Sequence, residues 1–184
     1  MNIDKFKQQY TEYFGNNQEL KVVFEMGGNK RGKNRIFQIE KRFNEIADWL
    51  LDDKEFWIIL TVWNTNLGTM SDLLKSGFNL NSATNIFKGD KLDKIVEADI
   101  TNNDEVFYLY YDSYKYSEIK PLIESIAAFE IGIEPSANIN AYIVSFDKEP
   151  FFLNLYDDRG MEFLCHDNIL FNNIKARFEL LIQK

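Results

Sequence analysis

The fold is decided by the stretch Phe56-Trp57-Ile58-Ile59-Leu60-Thr61-Val62-Trp63, which is almost continuously apolar. This is the strongest strand signal in the chain, because aromatic and β-branched residues suit a pleated surface. A half-solvated strand alternates apolar and polar residues, whereas continuous apolarity indicates that both faces are covered. We therefore expect this strand to lie at the centre of a sheet.

Amphipathic helices are predicted around that strand. Residues 35–51 carry an apolar stripe at the 3.6-residue spacing of a helix, with Asn34 as a candidate N-cap and Asp52-Asp53 closing the helix. A similar pattern predicts a helix over residues 3–14. A further helix is predicted to begin at about Ser117, with Pro121 in its first turn, and a last one to begin at Asp167 as N-cap. The stripe of the second helix consists of Ile36, Ile39, Phe43, Ile46, Ala47 and Leu50.

The remaining strand signals define the fold class. Strands are predicted over residues 20–26, 105–112, 140–146, 151–156 and 161–165. Consecutive hairpins near the C-terminal end do not fit a purely parallel doubly wound sheet, in which strands and helices alternate throughout. The sequence therefore predicts an α+β fold with a mixed or antiparallel sheet and amphipathic helices packed mainly on one face.

The length of 184 residues fits one domain, which we place over residues 1–184. Residues 64–103 give the weakest signals, since Asn and Gly are frequent from 64 to 90 and only 70–78 suggests a short helix. We interpret residues 64–103 as a variable insertion rather than core structure. Neither a repeat nor a linker composition is visible elsewhere.

Composition and charge narrow the function classes. Hydrophobic residues make up 45% of the chain, which is ample material for a packed core. The formal net charge is −8, so a nucleic-acid partner is not expected, whereas a basic protein partner would be attracted. One cysteine, no signal-peptide pattern and no membrane-length apolar run predict a cytoplasmic protein that does not enter a membrane.

The loop Gly27-Gly28-Asn29-Lys30-Arg31-Gly32-Lys33-Asn34 resembles a phosphate-binding loop between a strand and a helix. Glycines in such loops let backbone N–H groups surround phosphates, and a Ser or Thr hydroxyl holds magnesium. Asn34 stands where that hydroxyl is required, and Asn is a poor magnesium ligand beside a triphosphate. A polar surface turn is the favoured interpretation, with a magnesium-free anion site at the helix N-terminus as the alternative.

Other catalytic or metal-binding signatures are incomplete. Cys165 and His166 are the only cysteine and histidine, and neighbours on a strand point to opposite faces, so they cannot form a nucleophile–base pair. We expect Cys165 to be a core residue and His166 to lie on the surface. No serine hydrolase motif is present, and we predict no catalytic residue, no metal site and no cofactor.

The turn Tyr156-Asp157-Asp158-Arg159-Gly160 combines a hydroxyl, two carboxylates and a guanidinium. Aspartate and glycine are residues that turns favour, because Asp bonds following backbone amides and Gly can take positive φ. The same groups could instead contact a ligand, with Arg35 and Lys33 as further anion contacts. Tyr156, Asp157, Asp158, Arg159 and Arg35 are therefore the candidate binding residues.

The turn, within Leu155-Tyr156-Asp157-Asp158-Arg159-Gly160-Met161-Glu162 and followed by an amphipathic helix, resembles a bacterial family called domain of unknown function 3885. A helix-then-strand unit from Arg35 through Leu60 is also similar to that family. The resemblance covers about residues 20–63 and 105–182. It implies a shared fold and a shared surface around the turn, and it brings no established catalytic activity that could be transferred to this chain.

Two functional hypotheses follow from these observations. The first is a non-enzymatic interaction module, most concretely an immunity-type protein that neutralises a basic toxin. Its candidate contacts are exposed acidic residues at Asp52-Asp53, Asp157-Asp158 and Glu162. The alternative is a small-ligand-binding or enzymatic domain with a site near the 156–160 turn. A nucleotide-dependent enzyme using the 27–34 loop ranks last.

Overall fold

A computed structural model describes residues 2–14, 19–62, 69–89 and 105–183. Its helices and strands follow the order that the sequence predicts, with one additional strand. The elements are α1 (Ile3–Phe14), β1 (Leu20–Glu25), α2 (Gly32–Leu51), β2 (Phe56–Val62), α3 (Thr69–Lys75), β3 (Asn85–Gly89), β4 (Glu105–Tyr111), α4 (Tyr116–Glu130), β5 (Ile139–Ser145), β6 (Phe151–Leu155), β7 (Gly160–Cys165) and α5 (Asn168–Arg177). The chain is therefore α+β.

The described strands form one sheet in the order β1-β7-β6-β5-β2-β4-β3. Every hydrogen-bonded pair of neighbours in it is antiparallel. β2 lies between β5 and β4, and all of its residues from Phe56 to Val62 are buried. The central position predicted for this strand is confirmed, although Trp63 lies outside the described residues.

Both faces of the sheet carry a hydrophobic core, which explains the continuous apolarity of β2. Ile58 and Leu60 belong to a large core that also contains buried residues of α2, α4 and α5. Trp57 and Ile59 point to the opposite face and pack with aromatic residues of α1, such as Phe6. Full burial of a phenylalanine side chain contributes about 2–3 kcal/mol to the stability of the fold, so these contacts hold the short helix α1 against the sheet.

The expectation that residues 64–103 lie outside the core is wrong for the part that the structure describes. β3 pairs with β4 and forms the edge of the sheet, while Leu73 and Phe78 are buried in the large core. Half-buried and exposed positions alternate along β3, and none of its residues is fully buried, as is typical of an edge strand. Such a short, half-buried strand gives a weak sequence signal.

Two predicted helix starts also differ from the structure. α2 begins at Gly32 with Arg31 as N-cap, so Asn34 lies inside the helix and does not cap it. Pro121 lies in the interior of α4, beyond its first turn, because that helix already begins at Tyr116. No described helix is both long and apolar enough to cross a membrane.

Candidate functional site

The 156–160 turn is held together by the carboxylate of Asp157. Its Oδ1 accepts hydrogen bonds from the backbone N–H groups of Arg159 and Gly160, at 2.6 and 3.0 Å. Its Oδ2 accepts one from Nε of Arg159, also at 2.6 Å. Asp157 is only 4% exposed, so its oxygens are engaged within the turn itself.

Asp158 is joined to the N-terminal part of the chain by Arg35 of α2. The Arg35 guanidinium donates through Nε to Oδ2 of Asp158 and through Nη2 to the Asp158 carbonyl, the second at 3.3 Å. Its Nη1 donates to the carbonyls of Gly28 and Lys30, at 2.7 and 3.3 Å. The guanidinium thus ties the glycine loop, the helix and the turn together.

Gly27 is required at this junction by close packing. A Cβ at this position would lie 2.4 Å from Cζ of Arg35 and 2.4 Å from the carbonyl oxygen of Asp158. Real Cβ atoms do not approach other atoms so closely, so any larger residue must displace the guanidinium or the turn. Gln38 completes the junction by donating to the Gly27 carbonyl at 2.7 Å.

The glycine loop turns backbone carbonyls toward its neighbours, whereas a phosphate-binding loop presents backbone N–H groups. The carbonyls of Gly27, Gly28 and Lys30 point toward donors on α2, and Arg42 adds a bond to the carbonyl of Met26. A phosphate cradle instead needs backbone N–H groups that converge on one point. The loop is therefore built around protein cations, which argues against the nucleotide-dependent hypothesis.

Tyr156 and Gly160 pack against each other at the same turn. A Cβ on Gly160 would lie 1.8 Å from the Tyr156 hydroxyl oxygen, so the phenol occupies the space that a side chain would need. Gly160 has no positive φ, in contrast to the sequence-based expectation. Burial is the main cause that raises the pKa of Tyr156, and the charge of Asp157 adds to it.

The structure therefore brings the candidate residues Tyr156, Asp157, Asp158, Arg159 and Arg35 into one cluster, although Arg35 is far from the others in sequence. The expectation that the two aspartates are exposed is wrong, since Asp158 is only 7% accessible. Asp52 and Asp53 are exposed, and Glu162 forms an ion pair with Lys21. A ligand-binding role for the cluster stays a prediction.

Cys165 and His166 have different environments. Cys165 is buried, as predicted, and burial raises the pKa of its thiol to about 11, which keeps it protonated and unreactive. His166 is half-buried beside Phe14 of α1, with ring centroids 5.9 Å apart, rather than at the surface. Among the described residues, no cluster of His, Cys, Asp or Glu could hold a metal ion.

A groove that the sequence analysis missed lies between α2 and α4. It encloses about 340 Å³. One wall carries Phe37, whose side chain points outward and is 68% exposed. The described lining is Lys33, Ile36, Phe37, Glu40, Ser76, Glu124, Ala128, Ile133, Glu134 and Pro135. The available signal was Phe37 itself, an aromatic residue that falls outside the apolar stripe of its helix.

Two glutamates of α2 and α4 that line this groove share one lysine. Glu40 accepts a hydrogen bond from the Tyr116 hydroxyl at 3.4 Å and lies 3.5 Å from the Lys120 ammonium. Lys120 also pairs with Glu124 at 3.2 Å. Burial raises the pKa of Glu40, and the neighbouring Glu124 raises it further. Two carboxyl groups are thus crowded around a single ammonium group.

These features define a class of protein, namely an α+β module with an antiparallel sheet, an internally bonded acidic turn and an open groove between two helices. The sequence model of a family described as Domain of unknown function (DUF3885) matches residues 5–183. The chain belongs to this family, and the match includes residues 64–103, which the sequence analysis had left outside the resemblance. Comparisons with curated proteins and with solved structures found no match.

Proposed function

We propose that this protein is a non-enzymatic interaction module that binds a basic protein partner through the α2–α4 groove. The observation that carries the proposal is the exposure of Phe37 at the edge of a groove that also contains carboxylates. Exposed aromatic residues beside a concave surface are typical anchors of protein interfaces. The net charge of −8 would speed the encounter with a basic partner.

An immunity-type protein that neutralises a basic toxin is the most concrete form of this proposal. Such a protein needs a binding face and no catalytic set, and it acts in the compartment where the toxin acts, which for this chain we take to be the bacterial cytoplasm. The acidic residues Asp52 and Asp53 are exposed and could steer the partner. Asp157 and Asp158 are not suited to this task because they are buried.

The alternative, a small-ligand or enzymatic site at the 156–160 turn, has less support. A ligand at that turn would have to displace Arg159 from Asp157 or Arg35 from Asp158. Breaking the buried pair of Arg35 and Asp158 is costly, and removal of Arg159 takes a charge partner from the buried Asp157. The groove requires no such displacement.

The proposal is tested by co-purification of the tagged protein from its native cells, followed by reconstitution with the purified partner. We expect a basic protein in near-stoichiometric amount, and loss of its binding when Phe37 is replaced by Ala. Ile169→Ala is the matched control, because Ile169 is exposed to 69% on α5, away from the groove. Equal binding by both variants would show that the groove is not the docking surface.

A further inference from the structure

The α2–α4 groove combines an apolar wall with an acidic interior. Ile36, Phe37, Ile133 and Pro135 supply the apolar part of its lining. The side chain of Glu40 is only 12% exposed. A ligand that fits the groove must therefore offer both apolar surface and a positive charge.

The electrostatics of the groove favour an additional cation. Glu40, Glu124 and Glu134 line the groove, whereas Lys33 is the only basic residue in its described lining. Lys120 lies next to it, and its contacts with Glu124 and Glu40 raise its pKa, as expected beside an excess of negative charge. Burial is the main cause that raises the pKa of Glu40, and the neighbouring Glu124 raises it further. A bound cation would relieve this crowding.

An arginine side chain fits these requirements better than a lysine side chain. Its stem can lie on apolar surface, its planar guanidinium can stack on an aromatic ring, and its donors match a carboxylate. The same chain shows this type of stacking elsewhere. The Arg177 guanidinium lies 5.7 Å from the ring centroid of Trp49 and 5.8 Å from that of Phe178. In the groove, Phe37 offers a comparable ring that is still open to solvent.

We infer that the α2–α4 groove accepts an arginine side chain of the basic partner, with the guanidinium between Phe37 and the carboxylates of Glu124 and Glu134. This inference rests on the proposed function and adds the chemistry of the contact. The carboxylate of Glu134 accepts hydrogen bonds from the backbone N–H of Ser136 at 2.9 Å and from its hydroxyl at 3.2 Å. Each carboxylate oxygen can accept a second hydrogen bond, so Glu134 can still accept one from the ligand.

The test uses capped Gly-Arg-Gly peptide as the probe and follows backbone amide signals of the isotope-labelled protein by NMR. Peptides containing citrulline or lysine in place of arginine are the comparisons, because citrulline has the shape of arginine without its charge. Titration to about 10 mM detects binding even for a dissociation constant of about 1 mM. We expect arginine-dependent shifts at Ile36, Phe37, Ala128 and Ile133, weaker shifts with lysine and none with citrulline.

Variants locate the contact. Phe37→Ala should weaken binding of the arginine peptide by about two- to fivefold, the usual range for loss of an exposed cation–π contact. Glu124→Gln should weaken it by about two- to fivefold, as for an exposed ion pair. Glu12→Gln on α1 is the matched control for charge, and it should leave binding unchanged.

The outcomes separate this inference from the proposed function. Shifts of equal size with the citrulline peptide, shifts only outside the groove, or no shifts at all would overturn the arginine inference. If the partner still depends on Phe37 while Glu124→Gln has no effect on either partner or peptide, the docking proposal stands and the arginine inference is wrong. If the arginine peptide binds the groove but the partner ignores Phe37→Ala, the docking proposal fails instead.

Discussion

Arg35 offers the sharpest test of whether the 156–160 turn is a structural junction. Replacing Arg35 by Gln removes the ion pair with Asp158 and weakens the bonds to the carbonyls of Gly28 and Lys30. The two side chains are 17% and 10% exposed, so Asp158 would keep a largely buried charge without a partner. Breaking a buried pair costs about 3–5 kcal/mol, and we expect about 3 kcal/mol here because water reaches part of the pair.

Urea unfolding followed by circular dichroism measures this loss. With a slope of about 2 kcal/mol per molar urea, the midpoint should fall by about 1.5 M. Asp158→Asn and the double variant complete a thermodynamic cycle, for which we expect a coupling free energy of about 2 kcal/mol between the two residues. Lys21→Gln serves as the control, since its ion pair with Glu162 is exposed and should contribute less than about 1 kcal/mol.

A loss below about 1 kcal/mol for Arg35→Gln, or a coupling free energy near zero, with an unchanged slope, would show that the pair does not stabilise the junction. Arg35 and Asp158 would then be free to act on a ligand, and the alternative function at the turn would gain support. A loss of stability with intact partner binding would instead assign the cluster to the fold.

Three further predictions concern other parts of the molecule. Gly160→Ala should reduce the free energy of unfolding by about 1–3 kcal/mol, because its methyl group would overlap the Tyr156 hydroxyl; thermal unfolding checks this, and an unchanged midpoint would contradict the packing. Because its pKa is raised, Glu40 holds its proton to higher pH in the folded state than in the unfolded state, whose pKa is near 4.5. The contribution of Glu40 to stability is therefore present below pH 4.5 and is lost as the pH rises through the pKa of the folded state. Glu40→Gln should remove this loss and flatten the profile of unfolding free energy against pH, and an unchanged profile would contradict the raised pKa of Glu40. The Cys165 thiol, with a pKa of about 11, should resist a disulfide reagent at neutral pH in the native protein and react only after denaturant is added; rapid native labelling would contradict its burial.

Much of the fold could be read from local sequence patterns. The apolar run of β2, the stripe of α2 and the paired strands at the C-terminal end each reflect a strong periodic signal. β3 gave no such signal, because an edge strand of Asn85–Gly89 buries little surface and contains polar residues. β3 belongs to the sheet because it is hydrogen-bonded to β4. The two strands are too far apart in the chain for a local sequence pattern to reveal this pairing.

The candidate site also has features that the sequence predicts and features that appear only when the chain is folded. The sequence is enough to assign Tyr156, Asp157, Asp158 and Arg159 to one turn, since these residues are adjacent and their types favour turns. The bond between Arg35 and Asp158 and the burial of the aspartates arise only in the folded chain, because the pair joins segments 123 positions apart. The groove likewise arises where α2 and α4 pack against each other. Exposure and concavity are properties of packed elements, and no local pattern encodes them.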